Sequence, residues 1–173
     1  MSKASKRLIL LRHAKSSWES DADNDFDRPL AKRGKQDAIK AGLWLKHQKL
    51  IPDLILSSPA NRARKTILKA CAGFAFNTDD IRWTPEIYDA SLNDLLKILK
   101  NCSDDAKSVM LVGHNPGMEY LLEYLSRDRI PLASDGKLLT AGCIANLEIT
   151  TKWALASRSC AKVLAIIRPA EMK

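Results

Sequence analysis

The sequence predicts an α/β fold, a three-layer α/β/α sandwich with a mostly parallel central sheet. Short apolar runs alternate along the chain with segments whose apolar residues recur at helical spacing. This alternation is typical of a parallel sheet that is covered by helices on both faces. A length of 173 residues suits one compact domain, and neither a repeat nor a low-complexity linker divides the chain. We therefore expect residues 1–173 to form a single domain.

The strands and helices are predicted in the order β-α-β-α-β-α-β-α-β-β. The apolar runs predict strands at residues 7–11, 54–56, 81–83, 109–112, 143–149 and 163–167. Helical spacing and turn residues predict helices at residues 30–50, 59–72, 92–100 and 118–126. We expect Ser58 to cap the second helix, with Pro59 in its first position. Ser91 is expected to cap the third helix and to form a capping box with Asp94.

The charge of the chain indicates an anionic partner. Lys and Arg number 28 against 20 Asp and Glu, which gives a formal net charge of +8. Nucleic acid, an acidic protein face and a phosphorylated substrate would all suit this charge. The one dense basic cluster, residues 62–65, has no interleaved aromatic residues of the kind that stack on bases. Charge alone does not choose among these partners.

The cysteines and the apolar pattern predict the environment of the protein. The four cysteines are far apart and form no C-x-x-C pair, so neither a disulfide framework nor a zinc site is expected. No apolar run reaches the roughly 18 residues of a membrane span. The N-terminal residues lack the pattern of a signal peptide. We therefore expect a cytoplasmic protein with no membrane partner.

Reactive side chains follow three of the predicted strands. Arg12 and His13 follow the first, Arg62 comes shortly after the second, and His114 follows the fourth. The carboxyl ends of parallel strands lie at one edge of a sheet, where ligands bind in such folds. Two histidines and two arginines gathered there need an anion for stability. Because guanidinium groups suit tetrahedral oxyanions and helix N-termini favour anions, the pattern predicts a phosphate site.

Each of these motifs also has a purely structural interpretation. The segment Gly113–Gly117 would serve as a strand-to-helix turn with a bystander histidine, and Arg62 would serve as a surface charge on a helix. His47, in mid-helix among Lys and Gln, is expected to be exposed and without function. Only the convergence of the other residues on one edge of the sheet indicates chemistry.

Four ordered sequence blocks carry a family resemblance. They are LLRHAKS at 10–16, RPLAKRG at 28–34, SSPANRARKT at 57–66 and LVGHNPG at 111–117. With these blocks the chain resembles the histidine phosphatase superfamily, of phosphoglycerate-mutase-like fold, and within it the SixA-type phosphohistidine phosphatases. The resemblance extends from Leu8 to about Ile167.

The resemblance implies a role for individual residues. His13 matches the family's nucleophile, which carries the phosphoryl group on its imidazole. Ser16 falls where the wider family has a hydroxyl near the phosphate, and Glu86 falls near the family's proton donor. The residues that match the family's phosphate-binding residues are Arg12, Arg62 and His114, the last of them protonated during the reaction.

The chain departs from the family pattern at three positions. Ala14 replaces a glycine of the wider family, and Glu19 replaces an asparagine that contacts phosphate in the mutases. A carboxylate there would repel the phosphate, so we expect Glu19 to point away. SixA-type enzymes typically lack the acid, whereas Glu86 is present here.

The resemblance implies a phosphatase that needs neither metal nor cofactor and forms phospho-His13. Its substrate would be a phosphohistidine on a protein, or a small phosphorylated metabolite hydrolysed with Glu86 as general acid. Short connections favour hydrolysis over a mutase reaction. The remaining alternative is a non-catalytic basic module that binds phosphate or nucleic acid, although nucleic acid is the less favoured partner. The oligomeric state is left open.

Overall fold

The computed structural model describes residues 5–173, and the strands of this part of the chain form one sheet. They are β1 (Lys6–Arg12), β2 (Leu54–Ser57), β3 (Arg82–Trp83), β4 (Ser108–Gly113), β5 (Ile144–Ile149) and β6 (Ala161–Ile167). Their order across the sheet is β3-β2-β4-β1-β5-β6. The first four run parallel, whereas β5 runs antiparallel to both β1 and β6. The predicted mostly parallel sheet is confirmed.

Helices cover both faces of this sheet. They are α1 (Lys32–His47), α2 (Asn61–Phe74), α3 (Leu92–Lys100) and α4 (Gly117–Leu125). α1 and α2 pack on the face that contains Ile9 and Leu11, and α3 and α4 pack on the face of Leu8 and Leu10. The three-layer architecture is therefore confirmed. None of the helices in residues 5–173 has the length and apolar character that a bilayer crossing needs.

The central strands are apolar on both faces because both faces are covered. Leu8–Leu11 and Val109–Val112 are fully buried, as uninterrupted apolar runs in parallel strands require. β5 carries one buried polar residue, Asn146, whose side-chain oxygen accepts a hydrogen bond from Arg7 Nη1 at 3.2 Å. The polar residue Asn146 of β5 therefore lies inside the fold, where it is hydrogen-bonded, and not on a solvated face of the sheet.

Of the two helix caps predicted from the sequence, one is confirmed and one is wrong. Ser91 and Asp94 form the predicted capping box at the start of α3. The predicted cap of α2 is wrong, because this helix begins at Asn61 and Pro59 lies before it. Ser58 is two residues too early to cap the helix, and its hydroxyl contacts a histidine of the site described below.

Candidate active site

The ends of β1 and β4 place two histidines side by side. The two strands pair in parallel with Arg12 opposite Gly113, so His13 and His114 leave the sheet together. The His13 N–H donates to the Gly113 carbonyl oxygen at 3.0 Å, and the two ring centroids are 5.1 Å apart. The strand order thus brings together two residues that are far apart in the sequence.

His13 has one unprotonated imidazole nitrogen, Nε2, whose lone pair accepts a hydrogen bond from Arg62 Nε at 3.4 Å and could act as a base or nucleophile. Its Nδ1 lies 2.8 Å from the Ala14 carbonyl oxygen, which can only accept, so Nδ1 carries the ring proton and Nε2 keeps a lone pair. Burial lowers the pKa of His13 to about 4; the Ala14 carbonyl opposes this shift, and the charge of Arg62 adds to it. The ring is therefore neutral at physiological pH.

Arg62 lies beside His13 Nε2 and is held by Asp25. Arg62 Nε lies 3.4 Å from His13 Nε2. Its Nη1 donates to the Asp25 carbonyl oxygen at 2.6 Å, and its Nη2 donates to Asp25 Oδ2 at 2.9 Å. The Tyr88 hydroxyl donates to the same Oδ2 at 3.0 Å. Burial raises the pKa of Asp25, but the Tyr88 hydrogen bond and the Arg62 charge outweigh it and lower that pKa.

Arg12 and His114 each bring a buried nitrogen that lacks a protein partner. Arg12 Nη1 donates to the Leu139 carbonyl oxygen at 2.8 Å. Among residues 5–173, neither Arg12 Nε nor His114 Nδ1 has a hydrogen-bond partner. A buried polar atom without a partner costs about 1–3 kcal/mol. Both residues therefore favour a ligand that supplies the missing hydrogen bonds.

The surroundings of His114 disfavour its charged form. Burial, followed by the neighbouring His13 and Arg62, lowers the pKa of His114 to about 3. These surroundings favour the neutral ring, so the expected protonation of His114 requires a negative charge beside it. Its Nε2 lies 2.8 Å from Ser58 Oγ, which accepts from the Ala60 N–H at 3.2 Å. A hydroxyl that accepts one hydrogen bond can donate its own proton, so Ser58 can donate to Nε2 and leave the ring proton on Nδ1.

His13 lies in the wall of a cavity of about 400 Å³ at the carboxyl ends of the parallel strands. Of its ten lining residues, one, Asp135, is acidic, and five are basic. The basic residues are Arg12, Lys15, Arg28, Arg62 and Lys137. This excess of positive charge attracts anions. A larger cavity of about 710 Å³ adjoins it and shares Lys15, Asp135 and Ala141.

Ser16 lines the same cavity, at the base of the loop that follows β1. It is 7% exposed and pairs with Leu30 in an isolated β-bridge. Its hydroxyl accepts a hydrogen bond from Arg28 Nη2. The Ser16 hydroxyl therefore holds a basic residue of the cavity wall, and its contact with phosphate stays a prediction.

Ala14 shows why a methyl group is tolerated where the wider family has glycine. It is fully buried in a small cluster with Leu30 and Ala38, and its N–H donates to Thr66 Oγ1 at 3.0 Å. The close approach in this region occurs instead at Gly34, where an added Cβ would lie 2.0 Å from the Lys15 carbonyl oxygen.

Glu86 lies apart from the other candidate residues. It is exposed in the short 3₁₀ turn Pro85–Ile87 and lines a separate cavity of about 350 Å³. Tyr88, two residues further along the chain, reaches the site and packs edge-to-face on His114 at 5.5 Å between ring centroids. The structure therefore does not bring Glu86 to His13.

Glu19 and His47 lie away from the cavity. Glu19 is exposed and lies outside the residues that line the cavity, in agreement with the expectation that it points away. His47 is exposed near the end of α1, with its Nδ1 3.2 Å from the side-chain nitrogen of Gln48. The prediction of an exposed His47 is confirmed.

Sequence reasoning missed Asp25, Tyr88 and Ser58 as partners of the site. Asp25 is one of four aspartates at alternate positions of residues 21–27, and nothing in that pattern distinguishes it. Tyr88 lies two residues beyond the expected acid. Ser58 has a helix-cap signature that explains it without the site. Only their tertiary contacts reveal these three roles.

The thiols of the chain are not arranged for catalysis or metal binding. All four cysteines are free, and burial raises the pKa of Cys71 to about 12, so its reactive thiolate form is disfavoured. Within residues 5–173, no three or more His, Cys, Asp or Glu side chains are grouped so that they could hold a metal ion.

The fold and the site together define the class of protein. Two histidines and two arginines come together at the strand ends of a mostly parallel α/β sheet, and guanidinium donors suit a tetrahedral oxyanion. The sequence model of the histidine phosphatase superfamily (branch 1) matches residues 8–94. The chain belongs to this superfamily.

Similar proteins add detail to this classification. An uncharacterized chloroplastic protein of Arabidopsis thaliana is 38% identical over 136 residues, which cover 74% of this chain and 62% of that protein. A structure described as a candidate phosphohistidine phosphatase SixA from Nakamurella multipartitia has a TM-score of 0.80 at 28% identity, with 95% and 96% of the two chains covered. A similarly described SixA structure from Agrobacterium tumefaciens has a TM-score of 0.75 at 30% identity, with 95% and 98% covered. The resemblance to the SixA type is confirmed.

Proposed function

We propose that the protein is a phosphatase that carries the phosphoryl group covalently on His13. The observation that carries the proposal is the neutral Nε2 of His13, 3.4 Å from Arg62 Nε in a cavity lined by positive charge. A neutral imidazole is a nucleophile, and fixed cations stabilise the charge that develops on phosphoryl oxygens. Similarity to the SixA structures supports the same activity.

In the first step, the Nε2 lone pair of His13 attacks phosphorus in line with the leaving group. A bond forms between phosphorus and Nε2 while the bond to the leaving group breaks, and the leaving group takes that electron pair. Arg12 and Arg62 donate hydrogen bonds to the phosphoryl oxygens. His114 donates through Nδ1–H, and the bound anion raises the pKa of this ring, because a nearby negative charge favours the protonated form.

In the second step, water attacks the phosphorus of phospho-His13. The bond to Nε2 breaks, the electron pair returns to the imidazole, and both protons of the water leave with dihydrogen phosphate. Throughout the cycle Nδ1–H of His13 stays hydrogen-bonded to the Ala14 carbonyl oxygen at 2.8 Å. This hydrogen bond keeps the ring oriented and Nε2 as the reacting atom.

The placement of Glu86 supports a phosphohistidine on a protein as the substrate. An imidazole whose second nitrogen is protonated leaves phosphorus as a neutral ring and needs no further proton. An alkoxide does need one, and general acid catalysis contributes about 10²–10⁴-fold in such cases. Glu86 is exposed and lines another cavity. The adjoining cavity of about 710 Å³ gives room for a large phosphate carrier.

The experiment that tests the covalent intermediate is phosphoenzyme trapping. We expect a labelled phosphodonor to leave acid-labile, alkali-stable phosphate on the wild type and none on His13→Ala. His47→Ala, which removes an exposed histidine, is the matched control and should be labelled like the wild type. Labelling of His13→Ala, or an unchanged rate of hydrolysis by it, would contradict the proposal.

A second experiment tests the substrate class through Glu86. Glu86→Gln should hydrolyse p-nitrophenyl phosphate and free phosphohistidine at the wild-type rates, because Glu86 lies outside the His13 cavity. A selective loss on an alkyl phosphate ester, whose leaving group requires a proton, would restore Glu86 as general acid. It would also favour a small phosphorylated metabolite as the substrate.

A further inference from the structure

Trp18 is an exposed aromatic residue in the wall of the His13 cavity. Its side chain belongs to the loop after β1, is 76% exposed and lines the same cavity as His13. Leaving a ring of this size in water forgoes the large hydrophobic stabilisation of an aromatic side chain. Because Trp18 also lines the His13 cavity, its exposed ring is available to contact a ligand bound there.

Arg28 fixes one face of the indole ring. Its guanidinium carbon lies 3.5 Å from the ring centroid, within the range of a cation–π contact. Arg28 is itself anchored, because Nη1 donates to Asp25 Oδ1 at 3.0 Å and Nη2 donates to Ser16 Oγ. The ring is thus held from one side by charged and polar groups of the site. The ring is 76% exposed, so aromatic surface remains accessible to a ligand.

The chemistry of this wall favours a planar group. The rest of the cavity is lined mainly by Lys and Arg, whose charge suits phosphoryl oxygens, whereas Trp18 is the one aromatic residue besides His13 in its lining. A cavity of about 400 Å³ is the size of a small-ligand site. A ring bonded to a phosphoryl group at His13 would share this cavity with the indole, and aromatic rings stack at favourable energy.

We propose that Trp18 determines specificity by stacking on the planar leaving group of the substrate, the imidazole of a phosphohistidine. The inference rests on the proposed function, which places the phosphoryl group beside His13. It adds a discrimination that the phosphate-binding residues do not provide. They recognise the phosphoryl oxygens of every donor alike, whereas the indole recognises the ring that leaves.

The test compares two donors that share a P–N bond and differ in the ring. Free phosphohistidine carries an imidazole, and phosphoramidate carries an amino group. For Trp18→Leu we expect the ratio of kcat/KM for phosphohistidine to that for phosphoramidate to fall about 5- to 10-fold, the magnitude of an aromatic stacking contact. Trp18→Phe keeps a ring and should retain most of the wild-type ratio. Tyr120→Leu, which replaces an exposed aromatic residue of α4, should leave the ratio unchanged.

A binding measurement separates this inference from the proposed function. In the His13→Ala background, calorimetry with free phosphohistidine reports binding without turnover, and adding Trp18→Leu should weaken it about 5-fold or more. An unchanged ratio and unchanged binding would overturn the role of Trp18 even if His13 proves to be the nucleophile. Equal losses on both donors would also overturn it, because they would show that Trp18 only holds Arg28. If the wild type itself shows no phosphatase activity while Trp18→Leu still weakens binding in the His13→Ala background, the proposed function is overturned and the aromatic contact stands.

Discussion

The two histidines of the site should make the stability of the protein depend on pH. His13 and His114 are each 8% exposed. Burial is the main cause that lowers their pKa values from 6.5 to about 4 and about 3. In the unfolded chain both rings have the ordinary histidine pKa of 6.5. As pH falls from 6.5 towards 4, the unfolded chain therefore binds protons that the folded chain excludes, and the folded state loses stability.

The size of the loss in the free energy of unfolding follows from how far the pH lies below the pKa of histidine in the unfolded chain. One pKa unit corresponds to about 1.4 kcal/mol, and pH 5 lies about 1.5 units below the unfolded value of these rings. Each neutral buried histidine should therefore lower the free energy of unfolding by roughly 2 kcal/mol at pH 5, and the pair by roughly 4 kcal/mol. Below pH 4, His13 binds its proton in the folded state as well, and its contribution levels off. The loss is a large part of the roughly 5–15 kcal/mol that stabilises a typical domain.

The assay is urea unfolding at pH 7.5 and pH 5.0. The wild type should lose roughly 4 kcal/mol between the two conditions, and His114→Asn should lose only about half of that, because one of the two buried rings is gone. His47→Asn is the matched control, since it removes an exposed ring. If the wild type has the same free energy of unfolding at both pH values, the reasoning is refuted. An equal loss in the wild type and in His114→Asn would refute it too.

Three further substitutions test the contacts that surround the phosphate-binding residues. Asp25→Ala removes the acceptors of Arg62 Nη2 and Tyr88, and kcat/KM should fall about 10-fold, as expected for the loss of a charge-assisted hydrogen bond. Ser58→Ala removes the partner of His114 Nε2, and kcat should fall by about 2- to 10-fold, the effect of one hydrogen bond. Gly34→Ala places a Cβ 2.0 Å from a backbone carbonyl oxygen, and thermal unfolding should show a loss of about 1–3 kcal/mol.

Two matched controls distinguish the loss of these contacts from the mere loss of a negative charge or of a serine hydroxyl. Asp23→Ala removes the same charge from an exposed position of the same loop, and kcat/KM should stay at the wild-type value. Ser57→Ala removes a buried hydroxyl that donates to the Ser58 carbonyl oxygen at 3.0 Å. Its effect on kcat should be smaller than that of Ser58→Ala. If either control behaves like the substitution it accompanies, the contact has no specific role.

The sequence predicts the residues that lie at strand ends because two independent patterns locate them. Uninterrupted apolar runs identify β1 and β4, and the rule that ligands bind at the carboxyl ends of parallel strands places His13 and His114 at one edge. Arg62 follows from the same rule, since α2 begins directly beyond β2. These side chains are fixed by backbone topology, which apolar periodicity encodes along the whole chain. Their protonation states depend on burial among other cations, and the sequence pattern does not contain that information.

The residues that the sequence does not predict come from loops, where position depends on tertiary contacts. Asp25 differs from its neighbouring aspartates only in its contacts with Arg62, Arg28 and Tyr88. Glu86 shows the opposite error. Its place in the sequence suggests a proton donor, but the 3₁₀ turn Pro85–Ile87 leaves Glu86 exposed. The side chain that reaches the site is that of Tyr88, directly after this turn. Glu86 and Tyr88 are only two residues apart, and the geometry of the turn decides which of the two side chains reaches the site.

This division between strand ends and loops separates the chemistry of the site from its selectivity. The proposed nucleophile His13 and its proposed phosphate-binding partners Arg12 and His114 lie at strand ends, and their geometry would serve any phosphoryl donor. Trp18 and Asp25 both belong to the loop between Ser16 and Leu30, whose ends are joined by an isolated bridge. One loop thus carries the group that holds Arg62 and the ring that we propose contacts the leaving group. Because loops tolerate changes that the sheet does not, substitutions at Trp18 should alter the choice of substrate and retain the phosphoryl transfer to His13, whereas substitutions at Asp25 should weaken that transfer through Arg62.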